Sequence, residues 1–167
     1  MIPLFDINGN LPPGCYKPDL KEFEEHFVNS FPHSSSRSDI YEGYIDFSIL
    51  LCDEMPSAKK QIINGSFTTD KLDPNDIDMV IVFDSEALTS SEKNKCPHLM
   101  NNLTIIQGYN CHSFPLVKFP ESKPELYEKY LEKKAYWTDC WGSDRDDNPK
   151  GLIDLNMDKN CFIRCKK

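Results

Sequence analysis

The sequence predicts a single α+β domain. Three stretches carry apolar residues at helical spacing, and several short runs between them are rich in branched and aromatic residues. A length of 167 residues with 39% apolar content is enough for one core but not for two. No internal repeat, low-complexity tract or long linker divides the chain, so residues 1–167 read as one domain.

Asn8-Gly9-Asn10 and Pro12-Pro13-Gly14 make residues 1–18 a turn-rich, irregular entry segment. Leu20, Phe23, Phe27 and Phe31 then recur at helical spacing, with Pro18 and Asp19 suited to a helix start and Pro32 to its end. A second stripe, Ile40, Tyr44, Phe47, Leu51 and Met55, predicts a long helix closed by Pro56. Gln61-Ile62-Ile63 reads as a short buried strand and Ile77 to Phe83 as a longer one, the two flanking a Gly-Ser turn. Ser85 to Asn94 is either a helix or a loop, and Leu103 to Ile106 is a strand candidate. Phe114 to Phe119 is a further strand, and its Pro115 points to a sheet edge. Pro124 opens a third helix that carries Leu126, Tyr130, Trp137 and Trp141 on one face as core anchors, and Gly142 stops it. Gly151 to Met157 alternates as a last strand, and the basic tail from Arg164 to Lys167 is expected to fray.

Nineteen Lys and Arg against 27 Asp and Glu leave a net charge of −8, which gives no general attraction for a nucleic-acid backbone or an anionic membrane. Bulk DNA binding is therefore not expected. No apolar run approaches the ~20 residues of a membrane span, and Met1-Ile2-Pro3-Leu4-Phe5-Asp6 lacks the pattern of a signal peptide, so the expected location is the cytoplasm. Seven scattered cysteines, an odd number, read as reduced and mostly buried thiols.

The chemistry concentrates in Gly65-Ser66-Phe67-Thr68-Thr69-Asp70-Lys71-Leu72-Asp73-Pro74-Asn75-Asp76-Ile77-Asp78. Asp76 and Asp78 enter a strand two residues apart, so their carboxylates share a face at roughly 6 to 7 Å along the backbone. Such a pair is suited to magnesium or manganese, hard cations that take carboxylate and phosphate oxygens together and can flank a phosphoryl transfer. Gly65 permits close backbone approach, and Ser66 offers a hydroxyl and an amide to a phosphate.

Taken together, apolar-Asn-Gly-Ser, nine intervening residues, then Asp-apolar-Asp-apolar resembles the signature of the DNA polymerase beta-like nucleotidyltransferase superfamily. Phe5 to Gly14, Gly65-Ser66-Phe67 with Asp70-Lys71, and Arg145 to Gly151 further resemble a family of small bacterial nucleotidyltransferase-like proteins. The resemblance implies a polymerase beta-like fold, a mixed sheet flanked by helices. It also implies an NTP and magnesium site at the Gly-Ser and Asp-Ile-Asp edge, and transfer of a nucleoside monophosphate with release of pyrophosphate. Lys71, in the loop between the motif halves, is a candidate for the triphosphate; a loop lysine is also commonly just solvated. Arg145 and Lys150 flank the turn Asp146-Asp147-Asn148 before the last strand; they are candidates to bind phosphate from across the cleft, although a charged turn is the commoner reading of such a pair.

One departure bears on activity. Superfamily members usually supply a third carboxylate from a later strand, and by position it belongs at Cys111-His112-Ser113-Phe114, where there is no acid. Asp84 would lie roughly 20 Å from Asp78 along the same strand. His112 is the replacement candidate, as a general base or a phosphate contact. Two readings follow: a metal-dependent nucleotidyltransferase acting on a protein, tRNA or small-molecule hydroxyl, or a catalytically degenerate interaction module such as a component of a toxin-antitoxin or defence pair. A phosphohydrolase using the same aspartates is a third.

Overall fold

Along the strand that follows the Asp-Ile-Asp motif, Ile77, Met79, Ile81 and Phe83 enter one apolar cluster while Val80 and Val82 enter another, and this alternation sorts the molecule into two layers. The computed structural model describes residues 1–99 and 108–166. In chain order its elements are β1 (Cys15–Tyr16), α1 (Leu20–Glu24), α2 (Arg37–Glu54), β2 (Ala58–Asn64), β3 (Ile77–Asp84), α3 (Ser90–Leu99), β4 (Cys111–Lys118), α4 (Pro124–Trp141), β5 (Leu152–Asn156) and α5 (Lys159–Cys165). The strands form one sheet in the order β1-β5-β2-β3-β4. Pairing is mixed: β2 runs antiparallel to β3 and β5, whereas β3–β4 and β1–β5 are parallel. The fold is thus α+β, with a mixed five-stranded sheet flanked by helices.

One face of the sheet is covered by α1, the turn that follows it, α2 and α5 through Phe23, Phe27, Tyr44, Phe47, Leu51 and Phe162. The other carries α4, whose Tyr130 packs with Val80, Val82 and Leu116, joined by Tyr127, Trp137 and Trp141. A polar link crosses the first layer without leaving a group unpaired: the Tyr44 hydroxyl donates to Gln61 Oε1 (2.7 Å), and Gln61 Nε2 donates to Ser48 Oγ (2.9 Å). Pro115 lies in β4, at the sheet edge, where a missing N–H is tolerated. No helix among the described residues is long and apolar enough to cross a membrane.

Several expectations are corrected. The entry segment is not wholly irregular, because Cys15 and Tyr16 pair with Leu152 and Ile153. The first helix gives way after Glu24 to a π turn over Glu25–Asn29, closed by Ser30, whose N–H and hydroxyl both donate to the Glu25 carbonyl at 3.0 and 2.8 Å. The C-terminal tail does not fray from Arg164. Residues 159–165 form a helix that Asp158 caps and Phe162 anchors in the core. Leu126 is exposed, since the first turns of α4 pack through Tyr127 instead. Of the seven free cysteines only Cys111 is buried. Leu103 to Ile106 lies outside the described residues.

The open choice at Ser85 to Asn94 resolves to a turn followed by α3. The reason is a reciprocal cap in Thr89-Ser90-Ser91-Glu92: Glu92 N donates to Thr89 Oγ1 (3.2 Å), and Thr89 N donates to Glu92 Oε2 (2.7 Å). The buried Glu92 carboxylate also accepts from Thr89 Oγ1 and from Ser57 N, at 2.8 and 2.9 Å. These donors outweigh burial and hold its pKa down to about 2. A carboxyl lowered in the folded state contributes stability above its unfolded pKa, and that contribution is lost as pH falls. Glu92→Gln is therefore expected to lose about 1–3 kcal/mol at pH 7. In chemical denaturation series, the gap from wild type should close as pH falls from about 4.5 towards 2.

Candidate functional site

The motif halves meet because β2 and β3 are antiparallel neighbours. Asn64, the last residue of β2, stands opposite Asp78, so the turn that follows it lies beside the Asp78 carboxylate. Gly65 adopts φ 81° and ψ −167°, a conformation essentially reserved for glycine. A Cβ there would lie 2.0 Å from Asp78 Oδ2. Gly65 thus approaches Asp78 as closely as only a residue without a side chain can. Ser66 opens a 3₁₀ turn, Ser66–Thr68, whose carbonyls are tied by Thr68 Oγ1 to Gly65 O (3.2 Å) and Thr69 Oγ1 to Ser66 O (2.8 Å).

Asp76 precedes β3 and Asp78 lies within it. Parallel pairing sets His112 of β4 directly beside Asp78, with Nδ1 3.3 Å from Asp78 Oδ1. Carboxylate oxygens of Asp76 and Asp78 and an imidazole nitrogen of His112 lie within 4.8 Å of one another. Among the described residues this is the cluster of three His, Cys, Asp or Glu side chains close enough to hold a metal ion. His112 Nε2 is buried without a hydrogen-bond partner among them, and the ring packs 4.5 Å from Phe114, which leads to Trp137 and Trp141 of α4. Burial pushes the Asp78 carboxyl up from its ordinary value and the neighbouring Asp76 pushes it further, while His112 and Lys150 pull it back. A divalent cation relieves both of the raising effects. The donor set fits manganese, which accepts an imidazole beside carboxylates, and fits magnesium where water completes the oxygen octahedron.

The structure also adds Asn10, Asn64 and Asp144 to the site's surroundings, residues that the sequence did not single out for it. The segments Phe5 to Gly14, Gly65 to Lys71 and Arg145 to Gly151, far apart in the chain, converge at this end of the sheet. Asp70 N donates to Gly9 O (2.9 Å), Asn10 Nδ2 to Asp144 Oδ2 (2.7 Å) and Gly151 N to Leu11 O (2.9 Å). Asn64 Nδ2 donates to the carbonyls of Trp141 and Gly151, at 3.1 and 3.3 Å. Lys150, read from the sequence as part of a charged turn or as a phosphate contact, is buried and donates from Nζ to Gly65 O at 2.5 Å. Burial pushes its pKa down to about 8 against the attraction of Asp78 and Asp144. Lys71 behaves differently. It is exposed in the loop between the motif halves, with no ion pair among the described residues. Asp84 pairs with Lys118 at the far end of β3.

The model of the Family of unknown function (DUF6932) matches residues 3–156. The chain belongs to the DUF6932 family. That match spans every residue of the convergence just described, from the Gly9 loop to Gly151. No curated protein and no solved structure matches the chain.

Proposed function

We propose that this DUF6932 chain is a metal-dependent nucleotidyltransferase with a polymerase beta-like fold. The observation that carries the reading is the apposition of Gly65 to Asp78 inside the Asp76, Asp78 and His112 cluster. Anionic phosphate and paired carboxylates do not share a site without a cation, and here a small-residue turn and a cation-binding cluster adjoin. Bound magnesium or manganese supplies charge neutralisation between phosphate and carboxylate oxygens. Asp76 and Asp78 hold that charge in place, and Gly65 and Ser66 leave backbone room for the triphosphate. An acceptor hydroxyl oxygen forms a bond to the α-phosphorus, the bond to the bridging oxygen breaks, and pyrophosphate leaves. The hydroxyl proton passes to a base, and with Asp76 and Asp78 holding the metal, His112 is the candidate for that role at the position where the resemblance implies a third carboxylate. The net charge of −8 favours a protein or small-molecule hydroxyl over bulk nucleic acid, with a tRNA end as the remaining acceptor.

The test is incubation with each labelled NTP, manganese or magnesium, and cell lysate, read as label on protein or RNA. Asp76→Asn is expected to lower metal-dependent NTP affinity at least tenfold and to abolish labelling. Nucleotide binding untouched by that substitution, in both strength and metal dependence, overturns the site assignment. Release of free NMP without labelled acceptor favours the phosphohydrolase reading. A second reading, a non-catalytic partner-binding module such as half of a toxin-antitoxin pair, is favoured by the imidazole at the third-acid position. Metal and nucleotide binding without transfer or hydrolysis is its expected result.

A further inference from the structure

We propose that Lys150 is a positioning residue for the phosphate-facing turn: by holding the Gly65 carbonyl it aims the Ser66 N–H at the anionic ligand. The inference deepens the nucleotidyltransferase reading and rests on it. Lys150 Nζ reaches the Gly65 carbonyl oxygen at 2.5 Å. Described peptide bonds are all trans, and in a trans peptide the carbonyl and the following N–H point to opposite sides of one rigid plane. Fixing the Gly65 oxygen therefore fixes the Ser66 N–H, directed away from the ammonium. That N–H has no acceptor among the described residues. A glycine peptide rotates easily; within the turn the Gly65 oxygen also accepts from Thr68 Oγ1 (3.2 Å), and Lys150 adds a charged hold from outside the turn. An ammonium is well suited: its donor also polarises the peptide and strengthens the N–H as a partner for an anion.

Lys150 is itself held. It ends the turn in which Asp144 accepts from Asn148 N and Asp146 N, both at 2.9 Å, and from Asn10 of the entry loop. Lys150 N donates to Gly142 O (2.7 Å), and a Cβ on the next residue, Gly151, would stand 2.4 Å from Pro12 O, so the two segments pack with room only for glycine. The N-terminal loop and the turn before β5 thus brace Lys150 together.

The experiment combines two readouts on wild type, Lys150→Met and Lys150→Gln. The first is the Ser66 amide cross-peak in ¹H–¹⁵N spectra of ligand-free protein. The second is titration with ATP or inorganic tripolyphosphate in the presence of manganese, with manganese alone titrated separately. K150M is expected to shift the Ser66 amide and weaken both phosphate ligands at least tenfold, while affinity for manganese alone falls less than threefold. K150Q, which keeps an N–H donor and serves where K150M fails to fold, is expected to recover part of the affinity. An unmoved Ser66 amide, or phosphate affinity equal to wild type in a folded variant, overturns the inference and leaves the nucleotidyltransferase reading standing. Wild type that binds neither ATP nor tripolyphosphate overturns that reading and the inference with it.

Discussion

Replacing Arg37 with methionine is expected to destabilise the protein by about 4–5 kcal/mol, a loss that only a few mechanisms produce. Arg37 is the first residue of α2 and is 1% exposed. All five of its guanidinium hydrogens are committed to backbone carbonyls: Nε to Leu72, Nη1 to Phe27 and Phe67, and Nη2 to Thr69 and Lys71, at 2.6 to 3.3 Å. The plane stacks on Phe31, 3.8 Å from its centroid. Burial pushes its pKa down to about 10, with Asp70 and Asp73 opposing, so the group stays charged at neutral pH. Methionine fills the same volume but leaves five carbonyls to find other donors. Removing the buried charge offsets part of that cost, which is why the expected loss is well below five full charge-assisted bonds. At ~2–4 °C per kcal/mol for a domain of this size, the melting midpoint should fall by about 8–20 °C. Arg37→Lys should recover less than half of the loss, because a compact ammonium with three donors cannot span carbonyls arranged around a planar fork. Calorimetry and denaturant titration check both variants, and hydrogen exchange should show loosening centred on Phe67 to Leu72. A loss under about 1 kcal/mol would mean that water replaces the guanidinium without penalty, contrary to the burial observed.

Arg37 also illustrates where sequence reading stops. It sits in a polar run, His33 to Asp39, with nothing in its neighbours to mark it, and its five partners come from the first helical segment and from the motif loop. What sequence could supply was periodic or local: the stripe of α2, the face of α4, the strands on either side of Gly-Ser, and the shared face of Asp76 and Asp78. Each depends on spacing within one segment. Lys150 against Gly65 and Asn10 against Asp144 depend instead on loops 85 and 134 residues apart converging, and no local pattern encodes that. His112 is reachable only through the third-acid position that the nucleotidyltransferase resemblance implies, and its apposition to Asp78 requires β4 to lie parallel beside β3. α5 and β1 were missed for another reason: seven and two residues are too few for a period to stand out, and their stability comes from tertiary contacts of Phe162 and pairing with β5.

Gly65→Ala is expected to damage the site more than the fold. Alanine at φ 81° and ψ −167° carries a backbone cost of about 1–3 kcal/mol. The added methyl would also meet Asp78 Oδ2 at 2.0 Å and Cγ at 2.9 Å, so the carboxylate has to rotate away. Rotation separates Asp78 from His112 and from Asp76, and a site that keeps one carboxylate in place of two should bind manganese and a triphosphate about 100-fold more weakly, about 2.7 kcal/mol. Backbone cost alone cannot produce that result, and Gly9→Ala separates the two effects. Gly9 has φ 76°, and its added Cβ would lie 2.1 Å from Asp70 Oδ1, so G9A suffers comparable strain against an aspartate outside the metal cluster. Calorimetry should rank the two variants within about 2 kcal/mol of each other. Manganese titration should separate them by at least tenfold, with G9A close to wild type. Equal losses of metal affinity in the two would show that general destabilisation, not displacement of Asp78, governs the site, and the apposition of Gly65 to Asp78 would lose its functional meaning.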